Sequence, residues 1–408
     1  MKKKEETITT EKNTQNGTMI DDFARDLIKQ INKEHGSLVA FNLSTDSAPT
    51  NINRWIGTGS RFLDTVISNK PKNGGLPEGR IIELQGNPSC GKSMIAYEIA
   101  KNTQKMGGIV CYIDTENATS LDHLKNIGLD VSKRFVFIQQ TCTEYILAII
   151  ESTILKARAM TKDIPVTIIW DSVSQSSPKA EIEGDYDQNT IGLQARVLGK
   201  GMRKIAGLIG NQKILLVLVS QLRIKIGVSY GDPTTTSGGM AIPFASSVRI
   251  RINDGSAIKD KAGNVIGRST SAKTIKNKVA QPFREAGFDI IFGKCVQDHE
   301  QLFDYFREFC EKSKNGVKVG KETVSVEGTG AWKTFTIFDA DGVLKEEVKF
   351  YKPEFNNKVL SDPKYEKYVD ALFEQSLVIK YETSIEEHGT YKGSEDLSVE
   401  DRKALQDN

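Results

Sequence analysis

The sequence predicts an α/β fold with a mostly parallel central sheet, and two observations support this prediction. The first is a series of short apolar runs that alternate with helical patterns, at residues 81–84, 110–113, 135–138, 166–170 and 214–219. Strands buried on both faces have this composition, and helices between them act as the crossovers of a parallel sheet. The second is a glycine-rich loop that follows the first run directly and precedes a helical pattern.

The segments before this domain are predicted to be a tail and a single helix. Residues 1–18 are polar and have the composition of a disordered tail. The next segment, 19–56, begins with apolar residues at helical spacing, which predicts a helix over Asp21–Glu34 followed by a linker. The apolar stripe of this helix either docks on a neighbouring subunit or packs on the core of its own chain, and the pattern does not choose between them.

The segments after the parallel strands predict an antiparallel extension, a small domain and a tail. Alternating apolar residues from Val248 to Ile252 indicate strands added in antiparallel fashion, which complete a core domain over 57–297. Mixed helical and strand-like patterns then predict a small C-terminal α/β domain over 298–381. The final segment, 382–408, carries eight acidic and three basic residues and is expected to be a mobile acidic tail.

The composition limits the partners and the location. The 408 residues carry 55 basic and 53 acidic side chains, a formal net charge of +2, so any nucleic-acid site must lie on a local patch. The N-terminus lacks the apolar segment of a signal peptide, and no run of about eighteen apolar residues is present. The five cysteines show neither metal-ligand nor paired spacing. We therefore expect a cytoplasmic protein that does not span a membrane.

The glycine-rich loop matches a phosphate-binding motif in full. Its residues are Gly86, Asn87, Pro88, Ser89, Cys90, Gly91, Lys92 and Ser93, between a predicted strand and a predicted helix. Backbone N–H groups of such a loop surround phosphates, the lysine supplies positive charge, and the serine hydroxyl suits Mg²⁺. The motif predicts a site for ATP and Mg²⁺.

Two further strand ends carry acidic candidates. Asp171 follows the run at 166–170, where a carboxylate can help to hold Mg²⁺. Asp114 and Glu116 follow the run at 110–113, and either can act as the general base for a water in line with the terminal phosphate. Spacing alone does not choose between these two.

Six further motifs stand in a fixed order: Gly75–Glu83, Ile113–Glu116, Asp171–Val173, Glu181–Gly184, Gln221–Val228 and Lys276–Ala280. Together with the loop they resemble the RecA family of DNA strand-exchange recombinases, over about Asp21 to Phe292. The resemblance implies a RecA-like P-loop ATPase core with an N-terminal oligomerisation helix. It also implies an ATP-dependent homologous recombinase that forms helical filaments on single-stranded DNA and pairs that strand with homologous duplex DNA.

The resemblance also implies roles for single residues around the nucleotide. Glu116 is the residue that activates water, which selects it over Asp114. Asp171 belongs to the magnesium site, and Gln221 senses the terminal phosphate and passes its state to the adjoining DNA loop.

Other implied roles concern the contact between subunits. In the family, lysines at the places of Lys276 and Lys278 reach the ATP of the neighbouring subunit across the filament interface. Phe244 resembles the interface aromatic of the family, and the helix at Asp21–Glu34 would dock on the adjacent core. Both lysines could otherwise flank a solvated strand end.

Several positions depart from the family pattern. Ser120 and His123 stand where the family commonly has an Asp and a Tyr near the adenine, which leaves nucleotide selectivity open. Ser220 replaces a usual Asn, and Pro243 replaces a usual Lys. These departures indicate a divergent member of the family, such as a virus could encode.

Two long segments poor in core-forming residues, 177–192 and 221–239, are predicted to be DNA-binding loops. The second combines basic, hydroxyl-bearing and small candidates: Arg223, Lys225, Gly227, Val228, Tyr230, Thr236, Ser237, Gly238 and Gly239. Arg196 and Arg203, on the helix predicted after the first loop, resemble DNA-facing arginines of the family. Such groups bind the DNA backbone, so binding should be largely independent of base sequence. A flexible connection or a solvated helix face is the alternative for each feature alone.

Two other functions use the same sequence features. One is a ring helicase or a regulatory ATPase on the same core. The other is a module that coats single strands and uses nucleotide only as a structural ligand, against which Glu116 argues. For a recombinase, single-strand-binding and loader proteins are candidate partners.

Overall fold

The computed structural model describes residues 22–381, apart from residues 44, 47, 162, 186–189, 191, 225–233 and 314–315. The first helix, α1, occupies residues 22–35. The predicted tails at 1–18 and 382–408 lie outside the described residues. So do four of the predicted DNA contacts, namely Lys225, Gly227, Val228 and Tyr230.

The chain alternates helices and strands through its central part. The remaining helices are α2 (Arg61–Ser68), α3 (Lys92–Lys105), α4 (Leu121–Asn126), α5 (Thr143–Met160), α6 (Lys179–Ile182), α7 (Leu193–Asn211), α8 (Ala241–Ala245), α9 (His299–Ser313) and α10 (Glu366–Ser376). Single helical turns of other types lie at Val173–Gln175, Lys352–Glu354, Asn356–Leu360 and Pro363–Tyr365. None of the helices in the described part of the chain is long and apolar enough to cross a membrane.

The strands begin before the phosphate-binding loop and continue into the C-terminal domain. They are β1 (Trp55–Ile56), β2 (Leu76–Pro77), β3 (Ile81–Gly86), β4 (Ile109–Asp114), β5 (Phe135–Gln139), β6 (Val166–Asp171), β7 (Leu215–Ile224), β8 (Thr234–Thr236), β9 (Val248–Asn253), β10 (Ala257–Lys259), β11 (Val265–Asn277), β12 (Glu285–Ile291), β13 (Cys295–Gln297), β14 (Val317–Val319), β15 (Glu322–Glu327), β16 (Trp332–Phe338) and β17 (Leu344–Tyr351).

The described residues form a large sheet of 11 strands in the order β13-β12-β11-β9-β3-β7-β6-β4-β5, with β10 paired to β11 and β8 to β7. Every neighbouring pair from β9 to β5 is parallel. The pairs β9–β11, β11–β12 and β12–β13 are antiparallel. This arrangement confirms the predicted fold class.

One detail of the predicted extension is different. The strand at Val248–Asn253 is parallel to β3, and the antiparallel part begins only where β11 pairs with it. Alternating apolar residues report which face of a strand is buried, and they do not report the direction of its partners.

The central strands separate two apolar cores. Strands β3 and β6 are buried along their whole length, which explains the mostly apolar sequence of β6. Side chains of one strand point alternately to the two faces. In β4, Cys111 and Ile113 pack on the side of α5 and α7, whereas Tyr112 packs on the side of α3.

Helix α1 has an exposed apolar stripe. Phe23 is 67% exposed and Leu27 is 42% exposed. The Asn32 side chain accepts hydrogen bonds from the backbone N–H groups of Val39 and Ala40, which fixes the end of the helix to the following segment. Phe23 and Leu27 therefore do not pack on the core of their own chain.

The C-terminal domain consists of a four-stranded antiparallel sheet, β14-β15-β16-β17, with α9 and α10. It contacts the core domain through α2. Asp298, just before α9, accepts hydrogen bonds from the Ser60 hydroxyl (2.8 Å) and the Phe62 amide (2.9 Å). Arg61 forms an ion pair with Asp370 of α10 at 2.6 Å.

Candidate active site

The predicted active-site residues converge at one edge of the large sheet. Carboxyl ends of parallel strands face the same edge. The loop at 86–93, Glu116 and Asp171 lie at or just after the ends of β3, β4 and β6, and Gln221 of β7 lies opposite Gly86. Residues from all four line one cavity of about 470 Å³.

The loop at 86–93 has an unusual backbone that packs closely against strand β12. Ser89 and Gly91 have left-handed φ angles of 61° and 100°. The φ angle of Gly91 favours glycine, and a Cβ there would also lie 2.1 Å from Ile290 Cδ1. Gly91 also stands directly before α3 and has no side chain to cap it. The first N–H groups of α3 therefore remain available to an anion.

Lys92 is the buried cation of the loop. Only 7% of this residue is exposed. Its Nζ donates hydrogen bonds to the carbonyl oxygens of Gly86 (3.1 Å) and Asn87 (2.6 Å). These partners are neutral, and a buried charge is stabilised much better by an opposite charge. The cavity therefore fits a phosphate group.

Asp171 and Ser93 form the part of the cavity suited to a cation. Asp171 Oδ2 accepts a hydrogen bond from the Tyr112 hydroxyl at 2.7 Å, and the Ser93 hydroxyl also bonds this carboxylate. Burial raises the pKa of Asp171, and the two hydroxyl groups oppose that rise. Tyr112 was not among the residues expected from the sequence, because a tyrosine in an apolar run is usually only a core residue.

The donor set at this place is compatible with Mg²⁺. Carboxylate and hydroxyl oxygens are hard ligands, which Mg²⁺ prefers. Within the described residues, no group of three or more His, Cys, Asp or Glu side chains could hold a metal ion. A Mg²⁺ held by Ser93 and Asp171 would therefore take its other ligands from the nucleotide and water.

Glu116 is held by two hydrogen bonds to the same carboxylate oxygen. Its Oε1 accepts from the Ser172 hydroxyl at 2.6 Å and from Gln221 Nε2 at 2.9 Å. Ser172 follows β6 and Gln221 lies in β7, so the neighbouring strand ends position this side chain. Its second oxygen can face a water.

Asp114, the competing candidate for the general base, has a different environment. It is only 2% exposed, and it accepts hydrogen bonds from the backbone N–H groups of Glu116 (2.9 Å), Asn117 (3.0 Å) and Thr119 (3.1 Å). Both of its oxygens therefore hold the turn after β4. Asp114 does not line the cavity, whereas Glu116 does.

The two positions expected near the adenine lie at and just after the start of α4. Ser120 is exposed at the start of α4 and makes no capping hydrogen bond with its side chain. The exposed His123 packs edge-on to Tyr97, with 5.9 Å between ring centres. Neither residue is among those that line the cavity. Arg268 and Phe292 do line the cavity, although no sequence motif indicated them.

The proposed interface residues also lie outside this cavity. Lys276 is near the end of β11, and Lys278 is exposed just beyond it. Lys276 Nζ donates to the carbonyl oxygens of Pro243 (2.6 Å) and Phe244 (3.3 Å). Phe244 is on α8 and is 71% exposed.

The second predicted DNA loop is more structured at its base than expected. Residues 221–224 belong to β7, and Leu222–Ile224 pair with β8 as a two-stranded ribbon. Arg223 is exposed there, whereas Thr236 and Ser237 are buried with hydroxyl oxygens that have no hydrogen-bond partner among the described residues.

The other predicted DNA contacts lie on or against α7. Gly238 and Gly239 have left-handed φ angles of 83° and 65°, and both approach α7 closely, near Leu198 and Ala195. Arg196 and Arg203 are exposed on that helix. Gly238 and Gly239, which follow the ribbon, therefore lie against the helix that carries both arginines.

The site belongs to a P-loop nucleotide hydrolase. This class is defined by a strand, a phosphate-binding loop and a helix in succession, with a buried lysine in the loop and carboxylates at adjacent strand ends. The family model for the RecA N-terminal domain matches residues 23–297. The chain is 34% identical over 311 residues to protein RecA of Petrotoga mobilis, covering 76% of this chain and 77% of that one. It is 38% identical over 322 residues to protein RecA of a Wolbachia species, covering 79% and 86%. The chain belongs to the RecA family.

Family membership decides the function. The protein is an ATP-dependent homologous recombinase: a DNA-dependent ATPase that forms homo-oligomeric filaments on single-stranded DNA and exchanges strands with homologous duplex DNA. The expectation from the sequence motifs is confirmed. The alternatives of a ring helicase, a regulatory ATPase and a simple single-strand coat are not supported.

Proposed function

We propose that Gln221 couples the nucleotide site of this recombinase to its DNA-binding segments. The hydrogen bond from Gln221 Nε2 to Glu116 Oε1, at 2.9 Å, carries this proposal. Gln221 also lies in the strand whose next residues form the ribbon with β8. If Gln221 bonds Glu116 in one nucleotide state and the terminal phosphate in another, the ribbon responds to the nucleotide.

The nucleotide binds at the carboxyl edge of the parallel strands. The loop at 86–93 holds the phosphates of ATP, and Lys92 supplies positive charge to them. Ser93 and Asp171 hold Mg²⁺, which neutralises phosphate charge when it is bound. Glu116 takes a proton from the attacking water, while Gln221 and Ser172 keep its carboxylate in position. Ser120 and His123 lie beside the adenine in this proposal, beyond the part of the site that holds the phosphates.

DNA follows α7 and the ribbon in this proposal. Arg196, Arg203 and Arg223 are exposed there and bind phosphates without reading the base sequence. Thr236 and Ser237 have buried hydroxyl groups, which fits them better to support of the ribbon than to direct phosphate contact.

Subunits assemble head to tail in this proposal. The exposed stripe of α1, with Phe23 and Leu27, docks on the core of the adjacent subunit. The exposed ring of Phe244 lies in the same interface. Lys276 and Lys278 lie outside the nucleotide cavity of their own chain and supply positive charge to the phosphates bound by the neighbour.

Access of the filament to DNA is regulated by the acidic segment of the chain and by other proteins. The acidic segment at 382–408 competes with DNA phosphates for basic sites. Loader and single-strand-binding proteins regulate access to DNA, and the protein acts in the cytoplasm, where its substrate DNA is expected.

A comparison of DNA affinities tests the role of Gln221. In the unaltered protein, the affinity for single-stranded DNA should differ between ATP and ADP. In Gln221→Ala it should become the same with both nucleotides, while ATP itself still binds. Gln104→Ala is the matched control, because Gln104 bonds backbone oxygens of Asp130 and Lys133, away from the nucleotide cavity. A Gln221→Ala protein whose DNA affinity still responds to the nucleotide would contradict the proposal.

A further inference from the structure

We propose that Arg268 binds the phosphate chain of the nucleotide held by its own subunit, as a second cation beside Lys92. This inference rests on the placement of the nucleotide at residues 86–93 proposed above. The class of ligand is a nucleoside di- or triphosphate, and Arg268 is a binding residue for it.

The register of the sheet directs Arg268 toward the loop. Arg268 of β11 lies directly opposite Ile290 of β12, and directly opposed residues of an antiparallel pair point to the same face. Ile290 packs against Gly91, because a Cβ built at Gly91 would lie 2.1 Å from Ile290 Cδ1. Arg268 is therefore on the face that meets the loop, and it lines the cavity that contains Lys92.

A single carboxylate connects Arg268 to the loop. Arg268 Nη1 lies 2.9 Å from Asp254 Oδ1, and the other oxygen of Asp254 accepts a hydrogen bond from Asn87 Nδ2 at 3.0 Å. The side chains of Arg268 and Asp254 are 37% and 41% exposed. An ion pair this exposed is weak, so the arginine can bind a second anion at little cost.

The chemistry of the guanidinium suits a phosphate chain. It carries five N–H donors in a planar fork, and the bond to Asp254 uses Nη1. Bonds from such a fork to phosphate oxygens are charge-assisted and stronger than neutral ones. Asp254 places a negative charge beside the same phosphates, so Arg268 and Asp254 should affect nucleotide binding in opposite directions.

Nucleotide affinity measured by calorimetry on the full chain, without DNA and with Mg²⁺, tests the proposal. Arg268→Ala should weaken ATP binding about five- to tenfold and leave adenosine binding unchanged. Asp254→Asn should strengthen ATP binding, since the asparagine oxygen still accepts from Asn87. Arg307→Ala, which removes an arginine paired with Glu311 on α9, should change neither. Circular dichroism checks folding, and Arg268→Gln replaces Arg268→Ala if the latter does not fold.

Three results would overturn the inference. One is wild-type affinity for ATP in the folded Arg268 variant. The second is an equal loss for adenosine and ATP, which would place Arg268 on the sugar or base. The third is a loss in both Arg268→Ala and Asp254→Asn, which means that the pair only supports the loop. The variant Lys92→Ala distinguishes a failure of this inference from a failure of the proposed nucleotide site. If Lys92→Ala binds ATP normally, the nucleotide does not lie at residues 86–93.

Discussion

Lys276 Nζ donates a hydrogen bond to the carbonyl oxygen of Pro243 at 2.6 Å. The carbonyl oxygen of Phe244 lies 3.3 Å from the same nitrogen. Lys276 therefore contacts the backbone of α8, the helix that carries the exposed Phe244 ring. Burial, followed by the positive charges of Lys278 and Arg249, lowers the pKa of Lys276. If Lys276 moved toward an anion on the next subunit, as proposed, α8 would lose this contact and the position of Phe244 would depend on nucleotide binding.

Mixed filaments should recover activity from two inactive variants. The double variant Lys276→Ala/Lys278→Ala keeps Glu116, and Glu116→Gln keeps both lysines. Some interfaces in the mixture then join an intact Glu116 to intact lysines, so DNA-dependent ATP hydrolysis should return in part. The control Lys259→Ala/Lys261→Ala, which removes two lysines near the β10–β11 turn, should be active alone. An inactive mixture in which microscopy finds co-filaments would contradict supply of the lysines by the neighbour.

Glu116 and Asp114 should give different defects when their charge is removed. Glu116→Gln should bind ATP, fail to hydrolyse it and keep a nearly normal free energy of unfolding. Asp114→Asn loses a charged acceptor for three backbone N–H groups and should lower the free energy of unfolding by about 1–3 kcal/mol. Single-turnover hydrolysis and urea unfolding measure the two effects. Near-normal turnover in Glu116→Gln would refute its role as the base.

The sequence predicted the parallel part of the sheet well, because strands buried on both faces have nearly continuous apolar sequences. The phosphate-binding loop was predictable for a different reason. Its residues are consecutive in the sequence, so the motif itself shows that they lie together in the structure. Direction of pairing was harder. The alternation at Val248–Asn253 fits a parallel or an antiparallel neighbour equally well, and the strand has one of each.

Residues that reach the site from distant segments were the least predictable. Arg268 is a lone arginine in a strand with polar neighbours, which usually means a solvated face, and only the register opposite Ile290 places it at the loop. Tyr112 lies within an apolar run, so the sequence did not indicate that its hydroxyl bonds Asp171. For Ser120 and His123 the family pattern indicates the adenine, and this stays a prediction; the contact of His123 with the Tyr97 ring is a feature that the pattern did not indicate.

DNA affinity should fall as salt rises and should depend little on base sequence. Removing one side chain that binds a phosphate should reduce the slope of log affinity against log salt for single strands by about 0.7. Arg196→Ala and Arg223→Ala should each show this change for every sequence tested, whereas Arg307→Ala on α9 should not. Fluorescence anisotropy at several salt concentrations measures the slopes. Equal slopes in the three variants and the unaltered protein would exclude Arg196 and Arg223 as phosphate-binding residues.

Asp64 on α2 should make the stability of the chain depend on pH. Asp64 Oδ1 accepts hydrogen bonds from the Thr58 amide and hydroxyl, both at 2.8 Å. Burial raises the pKa of Asp64 from 3.8 to about 8, the hydrogen bonds from Thr58 oppose that rise, and the nearby Asp298 adds to it. Because the pKa is higher in the folded chain than in the unfolded one, folding favours the protonated form. This stabilisation is fully present below about pH 4 and is lost as the pH rises through about 8.

Asp64→Asn removes this titration and keeps an oxygen that accepts from Thr58. Between about pH 5 and pH 8 the free energy of unfolding should therefore fall less steeply in the variant than in the unaltered chain. The difference in slope should be at most about 1.4 kcal/mol per pH unit, and smaller than this because Asp64 is only partly buried and water screens its carboxylate. Urea unfolding at several pH values measures it. Asp260→Asn is the control: hydrogen bonds from the side chain and backbone of Asn264 lower the pKa of Asp260, so its titration lies below this range. Parallel curves for Asp64→Asn and the unaltered chain would mean that Asp64 is ionised in the folded protein throughout.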